Sequence, residues 1–167
     1  MHLKNSKIAM VGMFLAICVL CVYGGTILES NTLILLSIAS VTAGIVMKDY
    51  GLRMGAAYVI ASVALSFILV PMKMYSVTLA AMELYLFLKH SLQGRMGRAF
   101  LFVRYIIFNV FFIPALIFVP SLIYTGTIHL TIMVVVWGVG QIVFTVYDIC
   151  YDRVLVIWEK FKKDAKM

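Results

Sequence analysis

The sequence predicts an all-α fold, a polytopic membrane helical bundle of six transmembrane helices with both termini in the cytoplasm. Three observations predict it. Of the 167 residues, 64% are hydrophobic and only 13% are charged, and the mean hydropathy is +1.07, whereas soluble domains are roughly 25% charged. The apolar runs lack the period-2 alternation of a barrel strand and contain glycine and proline, so we expect the spans to be helices.

Six apolar runs approach the ~20 residues that cross a hydrocarbon core of ~30 Å. The first follows Lys4 and Lys7 and shows no signal-peptide cleavage site, so we expect it to be retained. The second and fourth are short and require snorkelling ends or protein surroundings. After the sixth, Trp158 and late lysines predict a cytoplasmic interfacial helix or tail over about 150–167, closing one integral membrane domain, 1–167. The spans lie at about 8–25, 32–47, 54–70, 74–88, 99–119 and 128–149.

Basic residues predict the orientation of the helices. With both termini inside, the cytoplasmic segments carry all of the 14 lysines and arginines except Lys73, in an outer loop, and Arg104, within a span. This positive-inside pattern predicts a multi-pass protein of the cell (cytoplasmic) membrane. Without the fourth span, the basic stretch KHSLQGRMGR would lie outside. Because the basic residues occupy four separate segments, the net charge of +7 indicates topology and argues against a nucleic-acid partner.

Two charged side chains lie at membrane depth. Glu83 precedes Lys89 by six residues, and Arg104 follows Arg98 by six, so each is ~9 Å inside the same leaflet. A lone charge there costs at least ~2.5–3.5 kcal/mol, which pairing across consecutive antiparallel helices would relieve. The sequence therefore predicts an intramembrane ion pair between Glu83 and Arg104. Two interpretations stay open: a structural pair, and a proton- or ligand-linked carboxylate with a switchable partner.

Two amides, Asn109 and Gln141, lie deeper, ~13–15 Å from the cytoplasmic ends of spans five and six. We expect these adjacent antiparallel helices to bring the amides together. Interhelical hydrogen bonding, at roughly 0.6 kcal/mol per contact, is one interpretation, and contact with a bound ligand is the other.

The sequence contains no strong catalytic, metal-binding or phosphate-binding motif. Asp148 and Asp152 share a helix face and suit a cation or acid–base work, but nearby basic residues favour a solvated or salt-bridged interface. The C-x-x-C of Cys18 and Cys21 lacks a second ligand pair, and the sequence contains no H-E-x-x-H or G-x-S-x-G. We therefore predict no enzyme, no metal site and no cofactor. No phosphate-binding G-x-x-x-x-G-K-[ST] occurs, so energy would come from a gradient or a partner.

Small residues Ala9, Gly12 and Ala16 form a stripe along the first span. Such stripes let helices approach closely, either within the bundle or at a partner helix.

The six-span layout, the first-helix stripe and the hairpin SVTAGIVMKDYGLRMGAAYVIASVALSFILVP, which ends in proline, together resemble the S components of energy-coupling-factor transporters. They also resemble uncharacterised small membrane proteins of Gram-positive bacteria with the same layout. The resemblance implies a membrane subunit that binds a vitamin or similar micronutrient near its outer loops. It also implies docking through the first helices onto a membrane coupling protein with two ATPases. In the outer segments TILESNT and SLIYTGTIH, the candidate ligand contacts are Glu29, Asn31, Tyr124 and His129.

Two functions follow from these patterns. The first is a substrate-binding membrane subunit of a multi-component small-molecule importer. The second is a non-transport scaffold or assembly partner of a larger membrane complex, in which the polar groups at depth hold the helices together.

Overall fold

The structure, a computed structural model, describes residues 2–28, 31–92, 100–118 and 130–164. Of these described residues 96% are helical, which confirms the predicted all-α class. The described residues form six helices, in chain order α1 (His2–Ile27), α2 (Thr32–Tyr50), α3 (Leu52–Leu69), α4 (Lys73–Leu92), α5 (Phe100–Phe118) and α6 (Leu130–Asp164).

Within the part of the chain that the structure describes, four helical segments are long and apolar enough to cross a membrane. Within α5, Phe102–Pro114 is a shorter apolar stretch. Large apolar side chains such as Leu20, Ile60 and Ile68 point outward and are at least 70% exposed, as expected of helices that face lipid. The four segments are Lys7–Ile27, Thr32–Tyr50, Leu52–Leu69 and Met133–Asp164.

Helices α4 and α6 extend past the predicted spans. Helix α4 continues through Lys89 and His90 to Leu92, and α6, which is 35 residues long, continues to Asp164. The predicted interfacial segment is therefore a continuation of the sixth helix, at least as far as Asp164. At ~1.5 Å per residue α6 is ~52 Å long, which exceeds the ~30 Å of a hydrocarbon core.

The chain divides into two compact units, Met1–Gly94 and Arg95–Met167. We call them the four-helix unit, with α1–α4, and the hairpin unit, with α5 and α6. The expectation of one integral membrane domain across both units stays a prediction.

Helix α2 is the centre of the four-helix unit, because it packs against α1, α3 and α4. Its second half is almost continuously buried, from Ala39 to Met47 apart from Val41. Small residues there, Ala39, Ala43 and Gly44, let three neighbouring helices approach one backbone.

A tight corner joins α2 to α3. Gly51 has a φ of +86°, in the left-handed region that favours glycine, and its N–H donates to the Met47 carbonyl at 3.0 Å. One turn later Gly55 packs directly on Met47: a Cβ at Gly55 would lie 2.2 Å from Met47 Cγ and 3.2 Å from its Cα. The two glycines therefore set how closely α3 folds back on α2.

In the connection between α3 and α4, local contacts determine where α3 ends and where α4 begins. Val70 has the extended backbone that a following proline favours, with φ −89° and ψ 125°. The ammonium of Lys73 donates to the carbonyls of Phe67 and Val70, at 2.5 and 3.1 Å. These contacts satisfy carbonyls that the end of α3 leaves without helical partners.

Aromatic packing joins the two helices of the hairpin unit. The Phe108 ring stacks on Phe144 with centroids 4.3 Å apart and on Phe112 at 4.9 Å. Gly140 makes room for Phe112, since a Cβ there would lie 2.6 Å from the ring.

Candidate functional site

A polar cluster occupies the interior of the four-helix unit, and Glu83 is its acidic member. The Glu83 side chain is fully buried at 0% exposure. Ser62 of α3 donates a hydrogen bond to Glu83 Oε2 at 2.6 Å, and the Cys18 thiol of α1 lies 3.9 Å from Oε1. Among the residues that the structure describes, no basic group forms an ion pair with this carboxyl.

A second part of the same cluster links α1, α2 and α3. The Tyr58 hydroxyl donates to the Phe14 carbonyl at 3.0 Å and lies 2.7 Å from Thr42 Oγ1. Thr42 in turn lies 2.5 Å from the Ala39 carbonyl. All four helices thus take part in the cluster. Each of α1, α3 and α4 contributes a side chain or a backbone carbonyl that contacts another helix, and α2 contributes the Thr42 side chain.

Helical spacing brings these groups inward. On α3 the residues Tyr58, Ser62 and Ser66 recur every four positions and therefore share one face. On α4, Ser76 and Glu83 lie seven residues, or two turns, apart on another shared face. All five side chains are buried, at 2% exposure or less.

Two hydroxyls of this cluster lack a hydrogen-bond partner in the structure. Ser66 Oγ and Ser76 Oγ are both fully buried and unbonded. A buried hydroxyl without a partner is costly, so in the folded protein such groups usually hold water or a ligand.

A separate polar seam runs through the hairpin unit. The guanidinium of Arg104 on α5 is bonded to Asp148 on α6, and Arg104 Nη1 lies 3.9 Å from Asp152. One turn earlier in α6, Thr145 Oγ1 lies 3.0 Å from the Tyr105 hydroxyl. Asp148 is therefore salt-bridged, and its partner is Arg104 of the same unit.

The two amides predicted at depth meet in this seam. Gln141 Nε2 donates to Asn109 Oδ1 at 2.9 Å, and the indole N–H of Trp137 donates to the same oxygen at 2.9 Å. Asn109 Nδ2 donates to the Tyr105 carbonyl at 2.8 Å and lies 3.5 Å from Gln141 Oε1. Asn109 thus uses both donors and both acceptor positions inside its own unit.

The predicted pair of Glu83 and Arg104 would join one unit to the other. The structure gives each residue partners within its own unit, Ser62 and Cys18 for Glu83, and Asp148 with Asp152 for Arg104. Because each unit is defined by itself, their mutual contact stays a prediction.

The structure describes some of the other predicted site residues but not all of them. Asn31 is exposed at the start of α2, and its side chain makes no capping hydrogen bond. Ala9, Gly12 and Ala16 are all exposed along α1, and a Cβ added at Gly12 would meet nothing within 4 Å. The remaining candidate ligand contacts lie outside the described residues: Glu29, Tyr124 and His129.

Sequence reasoning missed most of the Glu83 cluster. It missed Cys18, Thr42, Tyr58, Ser62, Ser66 and Ser76. The sequence pattern that could have identified this cluster is the four-residue spacing of hydroxyl side chains on α3, which predicts a polar stripe along an apolar helix. The partner of Arg104 was also missed, because Asp148 was assigned to the membrane interface.

Within the described ranges, no group of three or more His, Cys, Asp or Glu side chains comes together as metal ligands would. The cysteines there are free, with Cys18 buried and Cys150 exposed. The chain matches no protein-family model, no curated protein and no solved structure in the comparisons made.

Proposed function

We propose that the chain is a substrate-binding membrane subunit of a multi-component importer for a vitamin or a molecule of similar size. It spans the cell membrane six times, has both termini in the cytoplasm, and works with a membrane coupling protein and ATPases. The observation that carries the proposal is the polar interior of the four-helix unit.

A bundle in lipid does not need that interior for stability. Buried polar groups are costly unless they are satisfied, and packing of small apolar residues joins membrane helices without them. Glu83 nevertheless lies fully buried against Ser62 and Cys18, and the hydroxyls of Ser66 and Ser76 are left without a bond. Ionisable residues within membrane segments mark substrate and ion pathways often enough to make function the default hypothesis.

The exposed face of α1 supports a partner helix. Small side chains at Ala9, Gly12 and Ala16 leave the backbone open to close approach. Around Gly12 the absence of any neighbour within 4 Å leaves room for another helix. Coupling through this face would supply the energy source, since the sequence contains no phosphate-binding motif of its own.

Purification of the tagged protein from its native membrane in mild detergent, followed by mass spectrometry, tests this function. We expect a membrane coupling protein and ATPases in near-stoichiometric amounts. Gly12→Leu should remove them without changing the unfolding midpoint, while the matched change Gly138→Leu on α6, also at an open glycine, should retain them. Recovery of the chain alone from wild-type membranes would contradict the importer function.

One observation favours the second function, a scaffold or assembly partner. The donors and acceptors of Asn109 are all bonded to Tyr105, Trp137 and Gln141. The pair of Asn109 and Gln141 therefore serves to hold α5 to α6. Recovery of an unrelated membrane complex, in place of ATPases, would support this function instead.

A further inference from the structure

Glu83 is a buried carboxyl, and within the four-helix unit no basic group among the described residues forms an ion pair with it. The groups that contact it are a hydroxyl, on Ser62, and a weakly donating thiol, on Cys18. A carboxylate removed from water needs a counter-charge or several strong donors, and two neutral donors are too few. Within the four-helix unit, a cation on the carboxyl would supply the missing counter-charge.

The geometry at Ser62 suits a carboxyl that already carries a cation. Ser62 Oγ lies 2.6 Å from Glu83 Oε2 and 3.0 Å from the Val59 carbonyl, but the hydroxyl has only one proton. With a proton on Glu83, Ser62 is free to donate to Val59 and to accept a hydrogen bond from the carboxyl. With a metal cation there, Ser62 donates to Val59 and its lone pair faces the cation. Both short contacts of Ser62 are then satisfied at once.

The unbonded serines extend from this pair toward one end of the unit. Ser66 is one turn, ~6 Å, beyond Ser62 on α3, and Ser76 is two turns, ~10 Å, before Glu83 on α4. Both displacements are toward the connection at Val70–Lys73, where α3 ends and α4 begins. Their hydroxyls are fully buried without protein partners, so water at these positions would form a polar route to Glu83.

We propose that Glu83 and Ser62 bind a small monovalent cation, a proton or sodium, which arrives from the Val70–Lys73 end past hydrated Ser66 and Ser76. Hard cations of this kind prefer carboxylate, hydroxyl and carbonyl oxygens, which this part of the interior offers.

Few other titratable groups face this position from the packed helices. They are Cys18 from α1 and Tyr58 from α3, and Lys89 lies further along α4 itself. The buried residues of α2 are apolar, hydroxyl-bearing or glycine. A response to pH that disappears with Glu83→Gln would therefore belong to the carboxyl.

The test is thermal unfolding of the full-length protein in detergent, at constant ionic strength. Sodium is replaced stepwise by N-methylglucamine at each of several pH values. If sodium binds, the unfolding midpoint rises with sodium concentration, because a ligand of the folded state stabilises it by mass action. If a proton binds, the midpoint ignores sodium and falls as the pH is raised, because the buried carboxylate loses its counter-charge.

Three variants test whether the dependence of the unfolding midpoint on sodium or pH arises at Glu83 and Ser62. Glu83→Gln should abolish the dependence, and Asp164→Asn, at an exposed carboxylate on α6, should retain it. Ser62→Ala should keep the dependence but require more sodium, or a lower pH, for the same midpoint. The proposal fails if the wild-type midpoint ignores both sodium and pH, if Glu83→Gln responds like wild type, or if Ser62→Ala responds like wild type. The outcome does not depend on whether the chain belongs to an importer.

Discussion

Removal of the Arg104 guanidinium should strongly destabilise the hairpin unit. Arg104 is bonded to Asp148 across the two helices, and the two side chains are only 16% and 7% exposed. Arg104→Met keeps much of the apolar stem but leaves Asp148 as a buried carboxylate without its partner. The half-exposed Asp152, 3.9 Å from Arg104, contributes less because solvent screens it.

The magnitude follows from the asymmetry of buried ion pairs. Removal of one member typically costs about 3–5 kcal/mol, whereas replacement of both by apolar residues is often neutral. Arg104→Met alone should therefore cost about 3–5 kcal/mol, and the double change with Asp148→Leu should recover most of it. The recovered part is the coupling between the two residues.

Thermal unfolding of the four proteins of this cycle in detergent measures the coupling. We expect strong coupling of Arg104 to Asp148, and additive effects of the two changes would refute the contact described for the hairpin unit. A second cycle, which combines Arg104→Met with Glu83→Gln, separately tests the pair that the sequence predicts.

Three further substitutions test the packing described above, each by thermal unfolding in detergent. Gly55→Ala should lower stability by about 1–3 kcal/mol, because its Cβ would lie 2.2 Å from Met47 Cγ; Gly12→Ala, in open space, should not lower it. Asn109→Ala should cost about 1–2 kcal/mol through lost interhelical bonds, and no loss would contradict the seam. Tyr58→Phe should cost about 1–2 kcal/mol by removing one buried hydroxyl, whereas an unchanged midpoint would show that its bonds contribute nothing.

Helix class and number could be predicted from the sequence because they depend on local properties. Apolar runs of sufficient length and the absence of alternation were enough to predict six helices, and the amides of Asn109 and Gln141 met because consecutive helices are antiparallel neighbours. The predicted ends of the helices were less accurate than their number. Hydropathy locates the lipid-compatible part of a helix, but backbone hydrogen bonding carried α6 through its charged end to Asp164.

Partners across helices were harder to predict, because depth along a helix does not specify its rotation. Arg104 and Glu83 were matched by depth alone, and that pair stays a prediction. Within the hairpin unit, the residue that α6 presents to Arg104 is Asp148. Serine hydroxyls were overlooked for another reason: a serine in a membrane helix can bond its own backbone, so its presence carries little information. Only burial, as for Ser66 and Ser76, distinguishes these hydroxyls from the exposed kind.

The polar interior has a function in this account only if α4 crosses the membrane. Helix α4 carries Glu83 and is not among the four segments that length and hydropathy alone identify, so its crossing depends on the distribution of basic residues and on burial within the unit. Its ends carry Lys73 and His90.

The most direct measurement is therefore cysteine labelling at the two ends of α4 in intact cells. A membrane-impermeant maleimide would be applied to Lys73→Cys and His90→Cys, in a protein whose own three cysteines are replaced by alanine. We expect Lys73→Cys to react from outside and His90→Cys to react only after the membrane is permeabilised. Reaction of both positions from the same side would contradict the account, because Glu83 would then not lie within a membrane-spanning helix.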